Sequence, residues 1–204
     1  IIIGETFYYA GEAYEALESI KASGLPAVIT IAPMAENQLM DGISIVDTCK
    51  ELERQGADVV GMNCFRGPET MLPYLREIRK AVSCHMGALP VPYRTNAAEP
   101  TFFNLSDHAS CSCPSPHGRT FPTALDPLYC NRYEIGAFAR EAYDLGVRYL
   151  GVCFGAAPIH IREMAEAIGL KTEASRFSEN MANHFMYGSN ERLPDHIKAL
   201  GEKA

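Results

Sequence analysis

Residues 59–68 read VVGMNCFRGP, an apolar run that ends in Asn63 and Cys64 just before a proline opens a helical pattern. A second thiol closes a similar run, VRYLGVC, at Cys153, and a carboxylate, Glu5, follows three isoleucines and a glycine in IIIGET. Two thiols and a carboxylate brought to one place are the groups that a zinc site or a thiol-chemistry site would use. Free cysteine is also a common core filler, so the position of each thiol in the fold decides its meaning. Glu5 is less easily explained by packing, because a carboxylate within an apolar strand is costly to bury without a partner.

The elements that must position these residues alternate. Residues 1–6 form a buried-strand pattern, and 11–24, GEAYEALESIKASG, have helical spacing closed by Gly24. A strand at 25–33 precedes a helix over 43–56 ended by Gly56, and a strand at 57–64 precedes a helix over 68–82. Pro68 suits that helix's first turn, where a missing N–H costs nothing, while Pro73 predicts a kink. A weaker strand, 84–92, leads into a long irregular stretch, 93–131; then come a helix (132–146), a strand (147–153) and a helix (158–169). The tail, 170–204, has mixed polarity and no period, and is assigned to assembly.

Strands separated by single helices imply right-handed parallel β/α units, of which five are visible. A closed (β/α)8 barrel needs eight strands and typically ~250 residues. An open doubly wound sheet would accept five. No Gly-x-Gly-x-x-Gly follows any strand, which removes the usual nucleotide reading of an open sheet and favours a barrel piece. Both architectures place the active site at the C-terminal strand ends, where Glu5, Cys64 and Cys153 all fall. The opening IIIGETF has no methionine and a strand already under way, so the chain is expected to be a piece of a longer protein.

The 204 residues, 47% hydrophobic and 21% charged, are the makeup of a globular protein with one substantial core. A net charge of -7 with no basic, aromatic-interleaved run argues against nucleic acid as a partner. No apolar run approaches the ~18 residues of a membrane span, and the first residues lack a signal-peptide pattern. Seven scattered cysteines read as free thiols or metal ligands, which fits a reducing, cytoplasmic setting.

GADVVGMNCFRGPETM (56–71) resembles the Gly-x-Asn-Cys segment of the homocysteine S-methyltransferase family. FAREAYDLGVRYLGVCFGAAPIHIREMAEAIG (138–169) resembles the segment around that family's Gly-Gly-Cys-Cys-Gly motif, in the version of its betaine-using members, and IIIGETF resembles the strand that bears a substrate-binding glutamate. The resemblance implies a (β/α)8 TIM barrel of which residues 1–169 supply the fourth to eighth β/α units. It implies zinc held by three cysteines and a homocysteine thiol activated on that zinc toward a methyl donor such as betaine. Cys64 then matches the first zinc ligand and Cys153 the second. Glu5 matches the glutamate that receives the substrate's amino group, with Asn63 beside it on the substrate side.

Two positions depart from the family's pattern. Phe154 stands where the second adjacent cysteine would be and cannot ligate a metal; Thr6 stands where betaine-using members carry a tyrosine of the donor pocket. HASCSCPSPHG (108–118) could compensate through Cys111 or Cys113, or through His108 or His117, although Cys-x-Cys is tighter than usual zinc spacing. His160 reads as packing or capping, Cys49 as core, and Arg140, Glu141 and Arg148 as surface pairs; spacing identifies no partner for Cys84 or Cys130. Unpaired outer strands predict a missing N-terminal half or a homo-oligomer. Two functions are therefore expected: zinc-dependent methyl transfer to homocysteine, giving methionine, as enzyme or fragment, or a non-catalytic structural or binding relative that lost its zinc site through Phe154.

Overall fold

Five strands pair side by side in the order in which the chain makes them: β1 (Ile2–Phe7), β2 (Ala27–Ile31), β3 (Val59–Asn63), β4 (His85–Leu89) and β5 (Val147–Leu150), all parallel. The structure is a computed structural model that describes residues 1–34, 37–106, 125–178 and 194–195. The chain divides into two compact units, Ile1–Leu170 and Lys171–Ala204. In the second, the described part includes a short 3-10 turn at Glu173–Phe177.

The strand order decides what the pattern left open. A doubly wound sheet reverses direction at a switch point, whereas this sheet advances one strand at a time without reversal. With right-handed crossovers always moving the same way, the helices fall on one face, as in a (β/α)8 barrel. These are α1 (Ala10–Ala22), α2 (Ile45–Arg54), α3 (Pro68–Ala81), α4 (Arg132–Asp144) and α5 (Pro158–Ala167), each packed on the next. Between helices and sheet lies a single core that joins Leu17, Leu52, Leu75 and Phe138 to Ile29, Ile31, Met62 and Met86. Each such side chain contributes roughly 1.5–3 kcal/mol by leaving water.

Local signals start and stop the helices near the expected places. The Ser44 hydroxyl accepts from the Asp47 N–H at 3.0 Å, and Asn131 and Glu134 form a reciprocal capping box. Gly56, at φ +94°, lets the chain leave α2 with its N–H donated to the Glu53 carbonyl. α3 continues through Pro73, because the bond that proline cannot make would serve only the Glu69 carbonyl in the first turn. β1 differs from the buried pattern read in its sequence: it is an edge of the sheet, and Ile1, Ile3 and Glu5 are exposed.

Two register breaks interrupt the sheet, one at its C-terminal rim and one near the start of β5. Gly4 pairs with Ile29 and Phe7 with Ile31, so Glu5 and Thr6 together oppose Thr30, a two-for-one bulge. In β5, Val147 pairs with Met86 and Tyr149 with Gly87, which leaves Arg148 as the extra residue. At the centre the strands approach so closely that a Cβ on Gly61 would lie 1.9 Å from the Gly87 carbonyl oxygen.

The irregular stretch after β4 packs back over the strand ends. Phe102 donates its N–H to the Phe65 carbonyl, Cys130 donates to that of Pro92, and Tyr93 bridges Tyr129. Among the described residues no helix is long and apolar enough to cross a membrane.

Gly61→Ala is expected to lower stability by at least about 3 kcal/mol, since the clash is with backbone that no rotamer can relieve; urea denaturation measures it. Acid should destabilise the fold through His160. Burial holds its imidazole below the ordinary 6.5, against a weaker upward pull from the Cys130 carbonyl, and its Nδ1 accepts the Ala157 N–H at the start of α5. The unfolded chain therefore binds the proton first, so stability drops as pH falls below about 6.5. Melting temperature should fall between about pH 7 and about pH 5.5, and His160→Gln should flatten that part of the profile.

Candidate active site

Asn63, the last residue of β3, is completely buried, and its side chain ties three strands together. Its Oδ1 accepts from the Thr6 N–H at 2.9 Å and from the Thr30 hydroxyl at 2.8 Å, while its Nδ2 donates to the Thr6 hydroxyl at 2.6 Å. The same side chain also helps to hold the Cys153 thiol down. The two bonds to Oδ1 fill both acceptor positions of the amide, and Nδ2 uses one of its two donors on Thr6.

The backbone beside it is held in unusual conformations. Thr6 has φ +66°, an outlier for a β-branched residue, and Cys64 and Phe65 follow with φ +63° and +51°. Arg66 donates its N–H back to the Cys64 carbonyl at 2.6 Å, a tight three-residue turn, and Cys64 donates its own to the Leu89 carbonyl. Such conformations cost about 1–3 kcal/mol each and persist where surrounding bonds outweigh them. Cys153 arrives from the other side, three residues past β5, with its N–H on the Pro90 carbonyl at 2.8 Å. Its loop is fastened beyond by the Tyr129 hydroxyl, which donates to the Gly155 carbonyl at 2.5 Å, and by His160.

The fold thus brings the Cys64 and Cys153 thiols close enough to shift each other's acidity. The pair is electrically asymmetric. The neighbouring Cys64 thiol holds the Cys153 thiol down to about 7, with help from the Phe154 backbone and Asn63, while burial and the Glu5 carboxylate oppose. Cys64, the more buried of the two, is pushed up by Cys153 and by burial. Glu5 acts electrostatically on both sulfurs from the exposed rim of β1, so the carboxylate and the two thiols share one mouth.

An aromatic wall stands next to them. Tyr8 stacks on Phe65 with centroids 5.4 Å apart, Phe103 lies 4.9 Å from Phe65, and Phe154 meets Phe102 edge-on at 4.7 Å. Phe154 is 48% exposed. Adjacent to Tyr8, a cavity of about 310 Å³ is lined by Pro33, Met34, Leu39 and Met40.

Other candidates separate from the site. Cys49 is fully buried in the main core, and burial pushes its thiol up. Burial likewise raises Cys84 to about 11 and Cys130 to about 12. His160 is buried and used in capping. Glu141 pairs with Arg76, and Arg148 lies over the Tyr143 ring. Cys111, Cys113, His108 and His117 lie outside the described residues. Sequence reasoning missed Thr6 and Thr30 as members of the network and the aromatic wall; a threonine inside the apolar run AVITI was the only local signal for Thr30.

A catalytic zinc is usually held by three protein ligands with one position open. Among the described residues two sulfurs face each other at the mouth, with Glu5 near enough only to act on them electrostatically, and no three His, Cys, Asp or Glu side chains are placed to hold one metal ion there or elsewhere. Phe154 offers no donor. The described residues therefore do not fit a three-ligand zinc.

Comparison with known proteins places the chain. The family described as homocysteine S-methyltransferase matches residues 1–168. Betaine–homocysteine S-methyltransferase 1 of Xenopus laevis is 32% identical over 194 residues, covering 92% of this chain and 44% of that protein. The Danio rerio protein of the same name is 33% identical over 193 residues, covering 93% and 45%. The chain spans less than half the length of these curated relatives. In fold it resembles the crystal structure of the homocysteine methyltransferase MmuM from Escherichia coli in its apo form, with a TM-score of 0.56 at 14% identity over 82% of this chain and 49% of that one. The parallel sheet in unbroken order and the sequence match over its whole length agree: the chain belongs to the homocysteine S-methyltransferase family.

Proposed function

We propose that this chain carries the homocysteine-binding side of a methyltransferase that moves a methyl group to the homocysteine thiol, giving methionine, as an enzyme or a part of one. The observation that carries the reading is the convergence of Glu5, Cys64 and Cys153 from the C-terminal ends of β1, β3 and β5. Glu5, exposed at the rim, accepts the substrate's ammonium group, and Asn63 supports that rim from within. The substrate sulfur then lies toward the Cys64–Cys153 pair. A quaternary ammonium or sulfonium donor such as betaine suits the rings of Tyr8, Phe65 and Phe154 beside the thiols, because ring faces attract onium groups. The five described cysteines are all free, which suits the reducing cytoplasm.

Zinc dependence needs a third protein donor, which Cys111 or Cys113 would have to supply. The exposed, donor-free ring of Phe154 favours a second reading, a binding relative that has lost the metal.

Calorimetry should detect homocysteine binding by the chain, and Glu5→Gln should weaken it at least about tenfold, the loss of one charged hydrogen bond. Elemental analysis separates the two readings. Stoichiometric zinc that disappears in a Cys111→Ser, Cys113→Ser double variant supports the enzyme; a folded, zinc-free chain supports the binding relative. In either case Phe154→Cys is expected to raise zinc retention, because it adds a third sulfur to the mouth.

A further inference from the structure

We infer that the Glu5–Thr6 bulge is a positioning device, held in shape by Thr30 and Asn63, that aims the Glu5 carboxylate and thereby gives the mouth its selectivity for a substrate with an ammonium group. This rests on the reading of Glu5 given above and adds the residues that make it selective.

Three observations carry it. First, the bulge is located at the one place where it can act on Glu5. Glu5 and Thr6 together oppose Thr30, so the extra residue changes the direction in which the strand end presents its side chains. Second, the bulge is strained and the strain is compensated locally. Thr6 occupies φ +66°, where a β-branched residue is disfavoured, yet it is gripped twice by one side chain, through its N–H and through its hydroxyl. Third, the grip is itself braced. The Thr30 hydroxyl takes the remaining acceptor position on Asn63 Oδ1 at 2.8 Å, in a fully buried setting, so the amide cannot rotate without leaving a buried partner unpaired.

The chain Thr30, Asn63, Thr6 thus runs across β2, β3 and β1 from two fully buried side chains to the half-buried Thr6, and ends at the residue next to Glu5. Thr6 and Thr30 are positioning residues: neither needs to touch the substrate. A glutamate on an unstrained, regular strand would be free to swing at this exposed edge. Here the peptide that carries it is fixed, so the direction in which the Glu5 side chain leaves the strand is set before the ammonium group arrives.

The test uses the full chain and compares homocysteine with 4-mercaptobutyrate, which lacks the amino group, by calorimetry. The wild type should prefer homocysteine by at least about tenfold, the value of one charged hydrogen bond. Thr30→Val keeps the shape and removes the hydroxyl. Thr6→Gly tolerates the backbone conformation and removes the second grip. Each should reduce the preference at least about fivefold while 4-mercaptobutyrate affinity changes little. Thr30→Ser and Thr6→Ser, which restore the hydroxyls, should return the preference to near the wild-type value; a merely structural role would lower affinity for both ligands alike. If Thr30→Val does not fold, the Thr6→Gly and Thr6→Ser pair decides by itself. A wild type that prefers homocysteine alongside variants that keep the preference overturns the positioning role and leaves the homocysteine reading intact. A wild type with no preference overturns the reading of Glu5 and the inference with it.

Discussion

The structure depends on one buried amide. Asn63 spends its side chain inside the protein, on Thr6 of β1, Thr30 of β2 and Cys153 beyond β5, and so fixes the relative positions of strand ends that are far apart in the chain. The energetics favour such a hub. A left-handed threonine costs about 1–3 kcal/mol, while each buried polar group left without its partner would cost about the same, and Asn63 serves several at once. The strained conformation is the cheaper one only because the amide is there.

The rest of the mouth is assembled around that hub by backbone. Cys64 is placed by its bond to the Leu89 carbonyl and Cys153 by its bond to that of Pro90, so both thiols hang from the end of β4 and its exit. The segment after β4 then covers the rim, with Phe102 tied to the Phe65 carbonyl and Tyr93 bridged to Tyr129. Tyr129 and His160 hold the turn between β5 and α5, which links the capping of a helix to the position of a thiol.

The chemistry of the mouth is set by donor count. The two neighbouring thiols shift each other in opposite directions, so Cys153 is the more acidic and Cys64 the less, in surroundings that include a carboxylate. Phe154 places a ring, and no donor atom, next to Cys153. Its edge-on contact with Phe102 joins it to the aromatic wall, and membership of the family does not by itself restore a donor.

Much of this could be read from the sequence. The alternation of strands and helices and the closing glycines are local signals, which act through hydrogen bonds a few residues long; Gly56 marked the end of α2, while the caps Ser44 and Asn131 emerged only with the structure. The motif GMNC and the run GVCFG named the thiols and marked both as strand-end residues. Other features are decided only by neighbours distant in sequence. The order of strands, which separates a barrel from a doubly wound sheet, depends on how crossovers pack, and no single β/α unit encodes it. The exposure of Ile3 and Glu5 follows from β1 being an edge strand. The bulge at Thr6, its grip by Asn63 and the contact between Cys64 and Cys153 span 57 and more residues, so only the folded chain could bring these side chains to one mouth.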